Sequence, residues 1–246
     1  DGSFYYPRNG YGEIFDSIKH NIGEKNIEFN SSIIKLIHNN KKITKIITKE
    51  NSINAANNII SSLPINTIIN ILDPKPPLEI QEIISQLSFR SLKLCIFLID
   101  KNSISNNASI YFPSKEIPFT RLYEPKNRSK YLTPSNQTSI VVEVPYFANS
   151  SKNTMDDMLI DNIKLFLTNN NFFNKNEIIS SKIINIPYAY PVIKKDITKK
   201  INLVINYLKR FDNLYLLGRS AEFKYLHTHD LFHQSNQIIK LLLKRN

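Results

Sequence analysis

An apolar run, Leu214-Tyr215-Leu216-Leu217, leads straight into Gly218-Arg219-Ser220, and a helix is expected from about Asp230 to Lys244. This strand–turn–helix constrains the chain more than any other stretch. A glycine directly after a buried strand lets a ligand approach the backbone. The free N–H groups at the following helix start suit an anion or a ligand carbonyl. Arg219 is placed to pair with a phosphate or a carboxylate. An ordinary strand–helix turn with a surface arginine has the same local pattern, so the rest of the chain has to decide.

Upstream, the spacing of Ile14, Phe15, Ile18 and Ile22 predicts a helix ending at Gly23. Short strands are expected at about 27–30, 32–38 and 43–49, with the polar turn Asn39-Asn40-Lys41-Lys42 between the last two. Asn58 to Leu63 reads as a buried, parallel-type strand that runs into a loop at Pro64. Residues 73–77 (Asp-Pro-Lys-Pro-Pro) read as a linker before a helix at 78–86. Strands at 90–99, 109–112, 119–123, 138–144 and 179–187, with helices at 155–168 and 196–208, complete the chain. The expected fold is α/β. A partial dinucleotide-binding, Rossmann-like domain (1–72 and 201–246), its strands in one sheet, encloses a unit with a mixed or antiparallel sheet (73–200).

Composition narrows the function classes. Hydrophobic residues make up 41% and charged residues 22%, which excludes whole-chain disorder. The net charge of +11 is spread out, with no run of Lys or Arg longer than two. Nucleic-acid binding is therefore not expected, because such proteins cluster their charge. Ile, Asn and Lys share AT-rich codons, which accounts for much of the excess. Cys95 stands alone inside an apolar run, so a disulfide within the chain and a cysteine metal site are excluded, and a reducing, cytoplasmic compartment fits. No stretch approaches the ~18 apolar residues of a membrane span. Peripheral contact with an anionic membrane surface stays open. His229 and His233 share i, i+4 spacing, but no Glu follows the first and no third ligand is near, so no metal is expected.

The segment Gly218-Arg219-Ser220-Ala221-Glu222-Phe223-Lys224-Tyr225 resembles the closing FAD-binding motif of the amine oxidase and protoporphyrinogen oxidase-like flavoproteins. The related UDP-galactopyranose mutases carry a similar Gly-Arg motif followed by aromatics. Phe4-Tyr5-Tyr6-Pro7-Arg8-Asn9-Gly10-Tyr11-Gly12 resembles the Tyr-Pro…Gly-Gly segment that opens the matching part of those enzymes. Ser62-Leu63-Pro64 and Pro187-Tyr188-Ala189-Tyr190-Pro191 fall in the family's order, so the resemblance covers nearly the whole chain.

The resemblance implies FAD as cofactor. It places Ile33 beside the adenine, Ser62 and Leu63 where the chain passes the dinucleotide, and Gly218 and Arg219 at the ribityl-phosphate arm. Thr228 and His229 fall at the helix start that faces the flavin ring. On the substrate side it points to Arg121, Tyr123, Tyr188 and Tyr190, at strand ends of the middle unit, for an anionic or ring-shaped small molecule. No catalytic base is named, since the cofactor carries the redox chemistry. The chain departs from the family in having Ala221 where a second Gly is common, and His227-Thr228-His229 where an Asn-Met-Asp-like run is common. It also contains no Gly-x-Gly-x-x-Gly and begins at Asp1. It therefore reads as the C-terminal part of a longer enzyme. The implied activity is hydride transfer from substrate to flavin. The alternatives are a UDP-sugar mutase-like isomerase and a non-catalytic basic binding protein on the same fold.

Overall fold

The computed structural model describes residues 5–55, 57–147 and 155–244; Phe4 of the aromatic opening motif lies outside them. In chain order the elements are α1 (Gly12–Ile22), β1 (Ile33–His38), β2 (Ile43–Thr48), β3 (Ser52–Asn54) and β4 (Ile59–Ser61). Next come α2 (Ile65–Ile71), β5 (Leu72–Asp73), α3 (Leu78–Ser85), β6 (Phe89–Ile99), β7 (Ile110–Tyr111) and β8 (Arg121–Tyr123). The chain closes with β9 (Thr138–Tyr146), α4 (Asp156–Asn169), β10 (Ile178–Pro191), α5 (Ile197–Leu208), β11 (Leu214–Leu216), α6 (Arg219–Glu222) and α7 (Thr228–Leu243). No helix among the described residues is long and apolar enough to cross a membrane.

The chain forms two compact units. Unit 1 comprises residues 1–28 and 91–187, and unit 2 comprises 29–90 and 188–246. The expected breaks near 72 and 200 both fall inside unit 2. Burial explains why. Ile80, Ile83 and Ile84 of α3 share one core with Ile197, Ile201 and Val204 of α5, so the proline-rich stretch 73–77 bends within a core rather than linking two.

Unit 2 holds two sheets, where the sequence suggests one. β1 uses both edges, pairing antiparallel with β2 and parallel with β5, while β3 extends the β2 side. No edge of β1 is left for the C-terminal strand. β11 instead pairs parallel with β4, as the apolar 58–63 run suggests it should. Asn213 ties the two sheets together. It is buried, and its side-chain amide accepts from Ile43 N at 2.9 Å and donates to Ile43 O at 3.0 Å.

Three local readings need correction. Residues 27–30 form no strand. The chain leaves a 3-10 turn at Glu24–Asn26, and Asn30 takes a left-handed φ of 59°, which ends extended pairing. The stretch after Pro64 is not a loop but α2. Proline needs no N–H partner at a helix start, and Ile65, Ile68 and Ile69 bury one face. The C-terminal helix begins at Thr228, with the short α6 before it. The turn Asn39–Lys42 forms as expected, with Asn39 Oδ1 accepting from Lys42 N at 2.9 Å and Asn40 at φ 70°.

Unit 1 is built on a sheet of order β10-β6-β9-β8-β7, whose central β6–β9 ladder runs antiparallel from Ser91↔Tyr146 to Ile99↔Thr138. Cys95, Phe97 and Ile99 of β6 alternate into a core closed by Leu159, Ile163 and Leu167 of α4. Burial pushes the Cys95 thiol up to about 12, which leaves it an inert core group at neutral pH.

Candidate functional site

The parallel pairing of β4 and β11 places two chain ends side by side. Ser61 lies opposite Leu216, and Leu217 N donates to Ser61 O at 3.0 Å. Ser62-Leu63 therefore leaves β4 beside the point where Gly218-Arg219 leaves β11. The carboxyl ends of parallel strands are where open α/β sheets take ligands. Gly218 has φ 103° and ψ 168°, a conformation essentially restricted to glycine. A Cβ built there would meet nothing nearer than Leu231 Cδ2 at 4.0 Å, so the backbone is open to approach. These features fit one arm of a dinucleotide. Ile33 starts β1 in the other sheet and packs, like Leu63, against the core of unit 2.

Arg219 is more committed than its sequence suggests. Its Nη2 and Nε donate to Leu226 O at 2.7 and 3.3 Å, closing the 219–226 loop on itself. Its guanidinium lies 5.3 Å from the Tyr190 ring centroid, and Tyr190 stacks on Tyr225 at 6.1 Å. A guanidinium has five donors, so others remain for a ligand after the two bonds to Leu226. Sequence reasoning gave Tyr225 no role of its own. The run Phe223-Lys224-Tyr225 after a Gly-Arg turn was the available signal.

At the start of α7, His227 and Asp230 form a reciprocal cap, with His227 N donating to Asp230 Oδ2 at 2.8 Å. This sets the helix start that carries Thr228 and His229. The His227 and His229 rings stack at 5.6 Å, while His233 Nε2 meets Gln237 Nε2 at 2.8 Å. Among the described residues, no group of three or more His, Cys, Asp or Glu is arranged to hold a metal. A cavity of about 220 Å³ in the same unit is lined by Leu208 and, from the strand and motif singled out in the sequence, by Leu214, Tyr215, Leu216 and Glu222, but by none of the residues assigned there to the cofactor or the substrate.

The four substrate-side residues divide between the units. Tyr188 and Tyr190 belong to unit 2, whereas Arg121 and Tyr123 belong to unit 1. The reason lies in β10, which passes from one unit to the other at Pro187/Tyr188, where Tyr188 has a left-handed φ of 56°. Tyr188 packs edge-on against Phe89 at 5.2 Å.

In unit 1, Arg121 faces Glu143 across the β8–β9 ladder. Nε donates to Glu143 Oε2 at 3.0 Å and Nη2 donates to Oε1, a bidentate pair. The carboxylate holds the guanidinium charged, its pKa above the ordinary arginine value. Two tyrosine rings flank the charge, Tyr123 at 5.3 Å and Tyr111 at 5.9 Å. Burial raises the Tyr123 phenol above its usual range, so its hydroxyl stays protonated at neutral pH. Arg128 shares the Tyr123 ring, its guanidinium 5.2 Å from the same centroid. Sequence reasoning missed Glu143 and Arg128. A lone acid in the apolar strand Ile140-Val141-Val142-Glu143-Val144 was the signal for the first.

A family model for UDP-galactopyranose mutase matches residues 4–225. No curated protein matches the chain. Among solved structures, a reduced UDP-galactopyranose mutase superposes with a TM-score of 0.77 at 20% identity, covering 89% of this chain and 48% of its own. A putative protoporphyrinogen oxidase from Exiguobacterium sp. 255-15 superposes at 0.69 and 13% identity, covering 86% of this chain and 46% of its own. A redesigned putrescine oxidase triple mutant follows at 0.54 and 11% identity, covering 72% and 38%. The chain thus spans about half the length of these proteins, and at such identities the likeness shows the fold alone. The family match covers most of the sequence: the chain belongs to the UDP-galactopyranose mutase family of FAD-dependent flavoproteins.

Proposed function

We propose that the complete protein is an FAD-dependent enzyme that isomerises a nucleotide sugar. The observation that carries this reading is the family match over residues 4–225. In this reading unit 2 binds the cofactor and unit 1 binds the substrate. Gly218 and the Ser62-Leu63 turn admit the dinucleotide against bare backbone, and the start of α7 is set by its His227–Asp230 cap. The flavin supplies the ring at which the sugar chemistry takes place. Arg121, held charged and oriented by Glu143 between two tyrosine rings, binds the substrate phosphates through the donors that Glu143 leaves open.

A second reading keeps the cofactor and changes the reaction to hydride transfer from substrate to flavin. The likeness to the protoporphyrinogen oxidase and putrescine oxidase structures supports it. One assay separates the two. The full-length protein, chemically reduced, is incubated with UDP-galactose and the nucleotide sugars are resolved by chromatography. The first reading expects the pyranose and furanose forms to interconvert only while the flavin is reduced. Bleaching of the oxidised flavin by an amine or a porphyrinogen, with no nucleotide-sugar turnover, establishes the second instead.

A further inference from the structure

Lys126 lies in the 3-10 turn Pro125–Asn127 that follows β8. Its Nζ is 2.7 Å from Gln137 O, 2.9 Å from Ser135 O, and 3.0 Å from both Asn102 O and Pro134 O. An ammonium has three N–H donors. Four carbonyls around three donors cannot all accept straight hydrogen bonds, so at least one contact is charge against dipole. Convergent backbone carbonyls are how proteins hold a bare monovalent cation, by replacing its water shell.

The same loops have an opposite pole two residues earlier. Glu124 is buried, and its carboxylate accepts from Ile104 N at 3.1 Å, Ser105 N at 3.0 Å and the Thr138 hydroxyl at 2.6 Å. Glu124 gathers amides and a hydroxyl, and Lys126 gathers carbonyls, from the stretches 102–105 and 134–138. Each loop is thus held by its donors and its acceptors at once.

We propose that the four carbonyls form a monovalent-cation cage that this chain fills with its own lysine, a tethered cation that locks the two loops into one arrangement. The loop so fixed carries Arg128, which meets Tyr123, and Tyr131, which stacks under Arg8 at 3.8 Å. Lys126 is a positioning residue. Its role rests on the carbonyl geometry and is independent of the flavin chemistry.

The test uses the full-length protein and two variants. Lys126→Ala empties the cage and leaves room for an ion, whereas Lys126→Met fills it with a methyl group. Thermal unfolding is followed in KCl, NaCl, LiCl and choline chloride at equal ionic strength. In choline both variants are expected to melt roughly 5 °C below the parent, from the loss of charge-assisted hydrogen bonds. Potassium restores at least half of that loss in Lys126→Ala and none in Lys126→Met, while the parent responds alike to all four salts. Equal melting of Lys126→Ala in potassium and choline overturns the proposal, as does equal recovery of the methionine variant. Should alanine not fold in choline, Lys126→Ser carries the same comparison.

Discussion

Replacing Gly218 with valine in the full-length protein lowers its affinity for FAD at least tenfold and its melting temperature by several degrees. The cause is backbone conformation rather than crowding. At φ 103° and ψ 168° a side chain costs about 1–3 kcal/mol. The nearest atom to a new Cβ is 4.0 Å away, so no clash hides the strain. The turn relieves that strain by rearranging, and the rearranged turn no longer presents bare backbone beside Ser62. A control isolates the effect. Gly12 has nothing within 4 Å and no positive φ, so Gly12→Ala changes stability by no more than about 0.5 kcal/mol and leaves flavin content unchanged. Flavin content is read by absorbance after gel filtration, and melting by calorimetry. If valine at 218 keeps full flavin, the β11–α6 turn is not a cofactor contact.

The second large effect is expected at Arg121. Arg121→Met lowers kcat/KM by about a hundredfold or more, the loss expected when a charge-assisted contact to substrate disappears. It also leaves Glu143, a residue only 9% exposed, without its bidentate partner. Removing one member of a buried pair costs up to about 3–5 kcal/mol, and the part-exposed setting here argues for the lower end. Stability and catalysis separate in the double variant Arg121→Met/Glu143→Met. Replacing both partners by apolar side chains of similar size recovers most of the stability. Turnover is not recovered. If the double variant regained turnover along with stability, Arg121 would hold the sheet together and do nothing for the substrate. Arg121→Lys is not a rescue, because a point charge cannot reproduce the fork that meets both carboxylate oxygens.

The paired strand ends of unit 2 were legible because their signals are local. Leu214-Tyr215-Leu216-Leu217 is apolar throughout, the pattern of a parallel strand, although only Leu214 of β11 is buried, and the glycine follows the run directly. The Asn58-to-Leu63 run carries the same signature, and the two strands do pair in parallel. What the sequence concealed depends on the third dimension. Pro64 reads as a strand terminator, yet it also opens α2, and only the burial of Ile65, Ile68 and Ile69 distinguishes the two. The proline-rich 73–77 stretch looks like a linker until Leu72 and Ile80 are seen in one core. The Lys126 cage draws oxygens from residues 102 and 134–137, a distance along the chain that no motif spans. Tyr188 and Tyr190 share a strand with unit 1 residues but belong to unit 2, because a left-handed residue at the crossing turns the chain.

Unit 2 is proposed to contribute to an FAD site. The direct measurement is the flavin content of the full-length protein, purified folded, denatured, and assayed in the supernatant by absorbance and fluorescence. The account predicts close to one FAD released per polypeptide, or stoichiometric uptake when FAD is supplied to the apoprotein. A folded protein that releases no flavin and takes up none would contradict it.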